Sequence, residues 1–428
     1  MPSHIVSLPA ATSSENLQAL AEVSDFGLTD MGYQGQGPWA YRILREPLLT
    51  EELTRMSAAK AYPFGIDVVS LQPCPLHISR SQDRHVVEQW DLPNGKWIFN
   101  GVFDGHLNHD TVDFVIHTLP SDIKKALQFA TSNNMCINPS QVSDILRSSV
   151  QQIDKSISSH FLDLLPKDLE ALNCLADRDI QHLFAKEGGG NLSYEVAIRS
   201  LGGTTLALSL TDAQGNLWVV NLGDCRAVFG RRHEEGWSGY QLTSVHNLNN
   251  AEELSRLVSE HPDEQHAVQD GRVIGFLEPT RAIGDTWLKI PGVYASRVYS
   301  NLKQPWISPT RFKAYAQRIL TPPYVSNIPD VYHYVLDPPY FVLLASDGLL
   351  STERYAGIRD EEVVNHWINI IGQALDSRST TFSNAALCLL RDMIGGNDTD
   401  MASRYLTVEM EERWMDDTTI VIQRVGCA

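Results

Sequence analysis

The sequence predicts an α+β fold, with strands and helices arriving in blocks rather than in strict alternation. Two observations carry this. Apolar runs closed by an aspartate recur at WIFNGVFDGH (97–106), LWVVNLGD (217–224) and YFVLLASDGLL (340–350), and short apolar runs bounded by turn signals mark sheet-core strands. Against them stands one long amphipathic stretch, INPSQVSDILRSSVQQIDKSISSHFLDLLP. Here Asn138 can cap a helix whose first position is Pro139, and Val142, Ile145, Leu146, Val150, Ile153, Ile157, Phe161 and Leu164 line one face.

The remaining elements follow in order. Residues 1–65 read as an N-terminal extension of undefined role, with an amphipathic piece in EPLLTEELTRMSAAKAY. VVSLQ, HVVEQW and WIFNGVF are strand-like, and HDTVDFVIHTL has helical spacing. KEGGGNLS (186–193) reads as a connector, since no GK[ST] follows its glycines. GTTLALSL, LWVVNL and CRAVFG read as three strands in meander order, the first two joined at DAQGN. HNLNNAEELSRLVSEHP is a loop feeding a helix. Residues 286–330, rich in Pro, Tyr and Trp, read as a long irregular insertion, and such segments near a cleft carry recognition. YFVLLA, a helix around RDEEVVNHWINIIGQAL and a last strand, TTIVIQRV, complete the chain.

Composition excludes several classes. A chain of 428 residues with 43% hydrophobic and 20% charged residues is typical of globular domains. A formal net charge of −18 argues against a nucleic-acid partner. No run approaches the ~18–20 apolar residues of a membrane span. Six scattered cysteines without a CxxC pair read as free thiols in a reducing, intracellular compartment. The first forty residues lack arginine and carry Glu15, Glu22, Asp25 and Asp30, which is unlike a transit peptide.

The candidate chemistry lies in Asp83, Asp104, Asp224, Asp347 and Asp416. Asp104, Asp224 and Asp347 follow strands and Asp416 precedes one. Carboxylates without accompanying His or Cys suit hard cations such as Mg²⁺ or Mn²⁺; the rival reading is five unrelated turn aspartates. Cys225 and Arg231 in DCRAVFGR suggest a cysteine-based phosphatase loop, but RAVF is β-prone and no helix follows. VFDGH suggests a haloacid-dehalogenase-type nucleophile, but His106 occupies the place of the second Asp that chemistry needs.

The segments VFDGH, LGGTTLALSL, LWVVNLGDCRAV, TRAIGDTWLK, FVLLASDGLL and MDDTTIVI, in this order, resemble the metal-dependent Ser/Thr protein phosphatases of the PPM (type 2C) family. RVIGFLEPTRAIGD and TPPYVSNIPDVYHYVL are similar to the pyruvate dehydrogenase phosphatase branch. The resemblance implies a phosphatase domain over 66–428, built as a β-sandwich of two antiparallel sheets flanked by helices. It implies two Mg²⁺ or Mn²⁺ ions and a weaker third. Asp104 would bridge the two ions and the Gly105 carbonyl would bind one. Asp347 and Asp416 would complete the first ion, and Asp224 with Asp347 would hold the third. Asp83 would orient the attacking water, and His106 would protonate the leaving alkoxide of a phosphoserine or phosphothreonine. A phosphorylated protein, pyruvate dehydrogenase-like in this branch, would be the substrate, and a mitochondrial location follows from the same likeness. Gln82, Ile78 and Leu107-Asn108 depart from the family pattern at a Glu, a phosphate-holding Arg and a small-residue turn. A catalytically weak, phosphatase-like binding protein is therefore the alternative.

Overall fold

A computed structural model describes residues 25–73, 81–133, 137–185, 191–376 and 384–427. In chain order the strands are β1 (Phe26–Thr29), β2 (Trp39–Arg42), β3 (Lys60–Tyr62), β4 (Ile66–Leu71), β5 (Arg84–Leu92), β6 (Gly95–His106), β7 (Gly203–Thr211) and β8 (Asn216–Leu222). They continue with β9 (Arg226–His233), β10 (Gly236–Gln241), β11 (Val268–Gln269), β12 (Arg272–Val273), β13 (Ile283–Gly284), β14 (Asp330–Val335), β15 (Tyr340–Ala345) and β16 (Thr418–Val425). Two large antiparallel sheets result, beside the separate two-stranded pairs β1–β2 and β11–β12. One runs β10-β9-β15-β16-β4-β3 and the other β14-β8-β7-β6-β5, with β13 beside the start of β7. This is the predicted sandwich.

Period-two alternation explains why its strands read as unbroken apolar runs. Along β15, Tyr340, Val342 and Leu344 face the opposite sheet, where they meet Val102, Ala207, Leu217 and Val219. Phe341, Leu343 and Ala345 face outward and are also buried. Helices cover both outer faces. Asp110–Asn133 and Pro139–Leu162 pack on β6–β8. Leu48–Met56, Asp360–Asp376, Ala385–Met393 and Thr399–Thr407 pack on the other sheet. Strands buried on both sides need no polar face.

The Pro139–Leu162 helix begins as expected. Asn138 Oδ1 accepts from Ser140 N at 3.0 Å, and Gln141 Oε1 accepts from Asn138 N at 3.2 Å, a reciprocal capping box. Of the glycine-rich tract, 186–190 lies outside the described residues; Asn191 caps the Leu192–Leu201 helix.

Two expectations are corrected. The strands GTTLALSL, LWVVNL and CRAVFG are not a meander: β7 pairs with β8, but β9 crosses to the other sheet and lies between β10 and β15. The crossover is the short link Gly223-Asp224-Cys225. Gly223 adopts φ +103, and a Cβ there would run into Thr205, so glycine is required. Residues 286–330, in turn, are not irregular. They contain the helices Gly292–Arg297 and Pro309–Ala316, the latter capped by Ser308, around a core of Trp287, Tyr299 and Phe312.

The described residues ahead of β4, from 25 on, are built into the domain. β3 pairs with β4, Leu44 N donates to Ser403 Oγ at 2.9 Å, and Leu49 and Leu53 are fully buried in the core beneath the C-terminal helices. Leu53→Ala is expected to lower stability by about 2–5 kcal/mol, measured by chemical denaturation. An unchanged midpoint would mean that this segment merely rests on the domain.

Candidate metal centre

The sandwich opens at one end, and the aspartates meet there. Asp104 is near the end of β6, Asp224 sits on the β8–β9 crossover, Asp347 follows β15 and Asp416 precedes β16. Asp104, Asp224 and Asp347 each offer an oxygen, and these oxygens lie within 4.8 Å of one another. Asp416 and the Gly105 backbone line the same cavity of about 270 Å³; a second cavity of about 710 Å³ adjoins it, sharing Asp224, Asp347 and Asp416. Asp83 lines neither. It is buried behind the cluster, where its Oδ2 accepts from the Ser346 hydroxyl at 2.6 Å.

Crowding shows in the acid–base behaviour. Burial, then the charge of Asp347, pushes Asp224 up to about 8. Burial and Asp416 bring Asp347 to about 6. Asp104 is raised well above the usual carboxylate range by burial first and its carboxylate neighbours second. Asp347 Oδ1 and Asp83 Oδ1 are buried without a hydrogen bond. Oxygen donors this close, mutually repelling and partly unpaired, fit a hard divalent cation; no cysteine is among the described lining residues, and His106, their one histidine, is bonded to Asp285.

His106 is held by a residue the sequence reading left unassigned. Its Nε2 lies 2.8 Å from Asp285 Oδ2, and Asp285 is fully buried in the left-handed region at φ +47. Burial alone would lower the His106 pKa, but the Asp285 charge and hydrogen bond outweigh it and raise the value. A side chain at Gly203 would strike both partners. The Asp285 loop is pinned in turn by buried Asp154, which accepts from Gly284 N at 2.8 Å and Lys289 Nζ at 2.6 Å.

Three more residues escaped the sequence reading. Asp417 accepts from Gln72 Nε2 and Gln82 N, both at 2.6 Å, and so ties the strand ahead of the cluster to its last aspartate. Glu278 lines both cavities. His246 clamps the crossover: Gly223 N donates to its Nδ1 at 3.0 Å, and His246 N donates to Gly223 O at 2.9 Å. Nδ1 being the acceptor, the ring proton is on Nε2, which donates to Asp330 Oδ2 at 3.0 Å. That bond leads the influences that hold the Asp330 carboxyl at about 2, with Arg281 assisting.

The departures have structural roles. Gln82 lines the cavity, and its backbone serves Asp417. Leu107 takes φ +67, and buried Asn108 accepts from Asp110 N at 2.9 Å, capping the next helix. Ile78 lies outside the described residues. The cysteine-loop alternative fails: Cys225 is buried against Thr205 Oγ1, burial raises its thiol well above the ordinary value, and Arg231 is an exposed residue of β9 facing Asp337.

Comparison with known families matches residues 77–356 to protein phosphatase 2C. The chain belongs to the protein phosphatase 2C family. A protein phosphatase 2C homolog of Schizosaccharomyces pombe is 27% identical over 389 residues, covering 84% of this chain and 79% of that protein. Human [pyruvate dehydrogenase [acetyl-transferring]]-phosphatase 1, mitochondrial, is 31% identical over 281 residues, and the match spans 58% of this chain and about half (52%) of the human protein. The fold is shared with the serine-threonine phosphatase 2C of Toxoplasma gondii, at TM-score 0.50 and 16% identity over 85% of this chain and 96% of that one. The antiparallel sheets of the described residues are not the alternating β-α architecture that the dehalogenase-type reading of VFDGH needs.

His246→Leu would leave the Gly223 amide without its partner and remove one donor from Asp330, which keeps Arg281 and Tyr332. It is expected to cost about 1–3 kcal/mol for the amide left unpaired. His246→Asn, whose Oδ1 can take the place of Nδ1, should recover part of that loss in urea unfolding. Equal destabilisation by both variants would assign His246 a packing role only.

Proposed function

We propose that this chain hydrolyses phosphoserine and phosphothreonine in proteins, using two Mg²⁺ or Mn²⁺ ions held at the open end of the sandwich, with a weaker third beside Asp224. The observation that supports this best is the convergence of Asp104, Asp224 and Asp347 from separate elements on one solvent-reached cavity. Asp104 and the Gly105 carbonyl would hold both ions between them, with Asp347 and Asp416 completing the first and Asp224 joining Asp347 at the third. Bound there, the ions would supply charge neutralisation for a phosphoryl group and a water of lowered pKa.

The chain's own groups do the rest. Asp83, buried behind the cluster and lining neither cavity, would support the ligand carboxylates through Ser346 rather than touch the attacking water itself. His106, kept protonated by the Asp285 carboxylate at its Nε2, would donate the proton of its other ring nitrogen, Nδ1, to the departing serine or threonine oxygen. The global charge of −18 does not oppose an anionic substrate once cations sit at the cleft, because local potential governs the encounter. The likeness to the pyruvate dehydrogenase phosphatases supports a dehydrogenase-type phosphoprotein as target and a mitochondrial site of action. Among the described residues no helix is long and apolar enough to cross a membrane. The 286–330 segment lines neither of these two cavities, whereas Gln241, Ser244, Asn247 and Asn250 line the larger one, so substrate choice is better sought there.

The deciding experiment is hydrolysis of p-nitrophenyl phosphate and a phosphothreonine peptide with Mn²⁺ or Mg²⁺, against Asp347→Ala. Metal-dependent turnover lost in the variant is expected; a folded wild-type protein without turnover would make it a binding protein. His106→Gln is expected to lower peptide turnover by about 10²- to 10⁴-fold, and p-nitrophenyl phosphate turnover much less, because nitrophenolate leaves without a proton. Equal losses on both substrates would remove His106 from the acid role.

A further inference from the structure

The cavity at the aspartates poses an electrostatic problem for a phosphoester. Asp104, Asp224, Asp347, Asp416 and Glu278 all line it, and Arg272 is the one arginine or lysine among its described lining residues. Arg272 opens β12, directly across from Gln269 of β11, on a hairpin whose turn residues Asp270 and Gly271 both take positive φ, +54 and +70. The guanidinium reaches Glu278, with Nη2 2.8 Å from Oε2, and Nη1 donates to Phe276 O at 3.2 Å. The charge of Glu278 is felt at Asp224, Asp347 and Asp416, so the ion pair stands over the carboxylate cluster.

Both partners are about half exposed, 47% and 48%, and an ion pair so open to water is weak and readily exchanged. A guanidinium has five N–H donors in a planar fork. The two bonds seen here leave others free, and the fork matches two oxygens of a phosphoryl group better than it matches one carboxylate oxygen. A phosphomonoester also brings close to two negative charges against the single charge of Glu278. At the position where the family resemblance places a phosphate-holding arginine, this chain has Ile78, which has no charge to offer.

We propose that Arg272 is the phosphoryl-binding cation of this cleft, and that Glu278 is its resting partner, given up when the phosphate arrives. The phosphate thereby meets a guanidinium from the β11–β12 hairpin in the cavity that the aspartates line. This rests on the reading of the cleft as a phosphoester site, and it adds a residue that acts on the substrate rather than on the ions.

The probe is inorganic phosphate, used as a competitive inhibitor of p-nitrophenyl phosphate hydrolysis by the full chain at saturating Mn²⁺. Arg272→Gln should raise the phosphate Ki and the KM for a phosphothreonine peptide by about ten-fold or more, the scale of a charge-assisted hydrogen bond. Arg272→Lys should fall between. Glu278→Gln should lower the phosphate Ki, since it removes a competitor and a repelling charge. Mn²⁺ affinity measured by calorimetry should be unchanged in Arg272→Gln. The proposal is overturned if the phosphate Ki of Arg272→Gln equals wild type, or if Mn²⁺ affinity falls in parallel. A wild-type chain that binds Mn²⁺ but turns over no phosphoester would overturn the phosphatase reading itself, and this role with it.

Discussion

Everything at the site depends on the dry contact between the two sheets. Its interior is apolar, from Ile66 and Val68 of β4 through Val342 and Leu344 of β15 to Leu217 and Val219 of β8. A few buried polar groups fix how the sheets lie on one another. Asn100 Nδ2 donates across the gap to Gln423 Oε1 at 2.8 Å, and Gln423 Nε2 donates back to Thr211 Oγ1 at 3.1 Å. Such bonds tolerate little sliding, because a displaced partner would be left buried and unpaired. Aspartates that would repel one another in solution are thus held together by packing that lies elsewhere.

Much of this was legible in the sequence, for a physical reason. Strands buried on both faces appear as solid apolar runs, and the aspartates that end them stand out sharply. The long helix was equally plain, since Asn138-Pro139 and its apolar stripe are local signals. Sheet membership was not local. Nothing in CRAVFG distinguishes a third meander strand from one that crosses over, because the decision lies in Gly223 and in which sheet edge is open. The Pro309–Ala316 helix carried a readable Ser308-Pro309 start, obscured by the aromatic residues around it.

Residues that act through other residues were the hardest to find. Asp285 lies in the quoted segment TRAIGDTWLK, and Asp417 beside Asp416 in MDDTTIVI, yet neither has a pattern that announces a partner. His246 looked like any loop histidine. Its place is visible only when the chain of bonds is followed from Glu253 to Arg281, on to Asp330, through the ring and into the Gly223 amide. By that route the Ala251–Glu260 helix is connected to the crossover that bears Asp224.

The crossover has a mechanical meaning as well. Asp104 belongs to one sheet, Asp347 and Asp416 to the other, and Asp224 to the link between them. An ion gripped by all of them would act as a rivet through the mouth of the sandwich, so that loading the ion and seating the sheets become a single equilibrium. Slippage between the layers would then be felt first as lost grip on the ion, long before the hydrophobic interior opened to water.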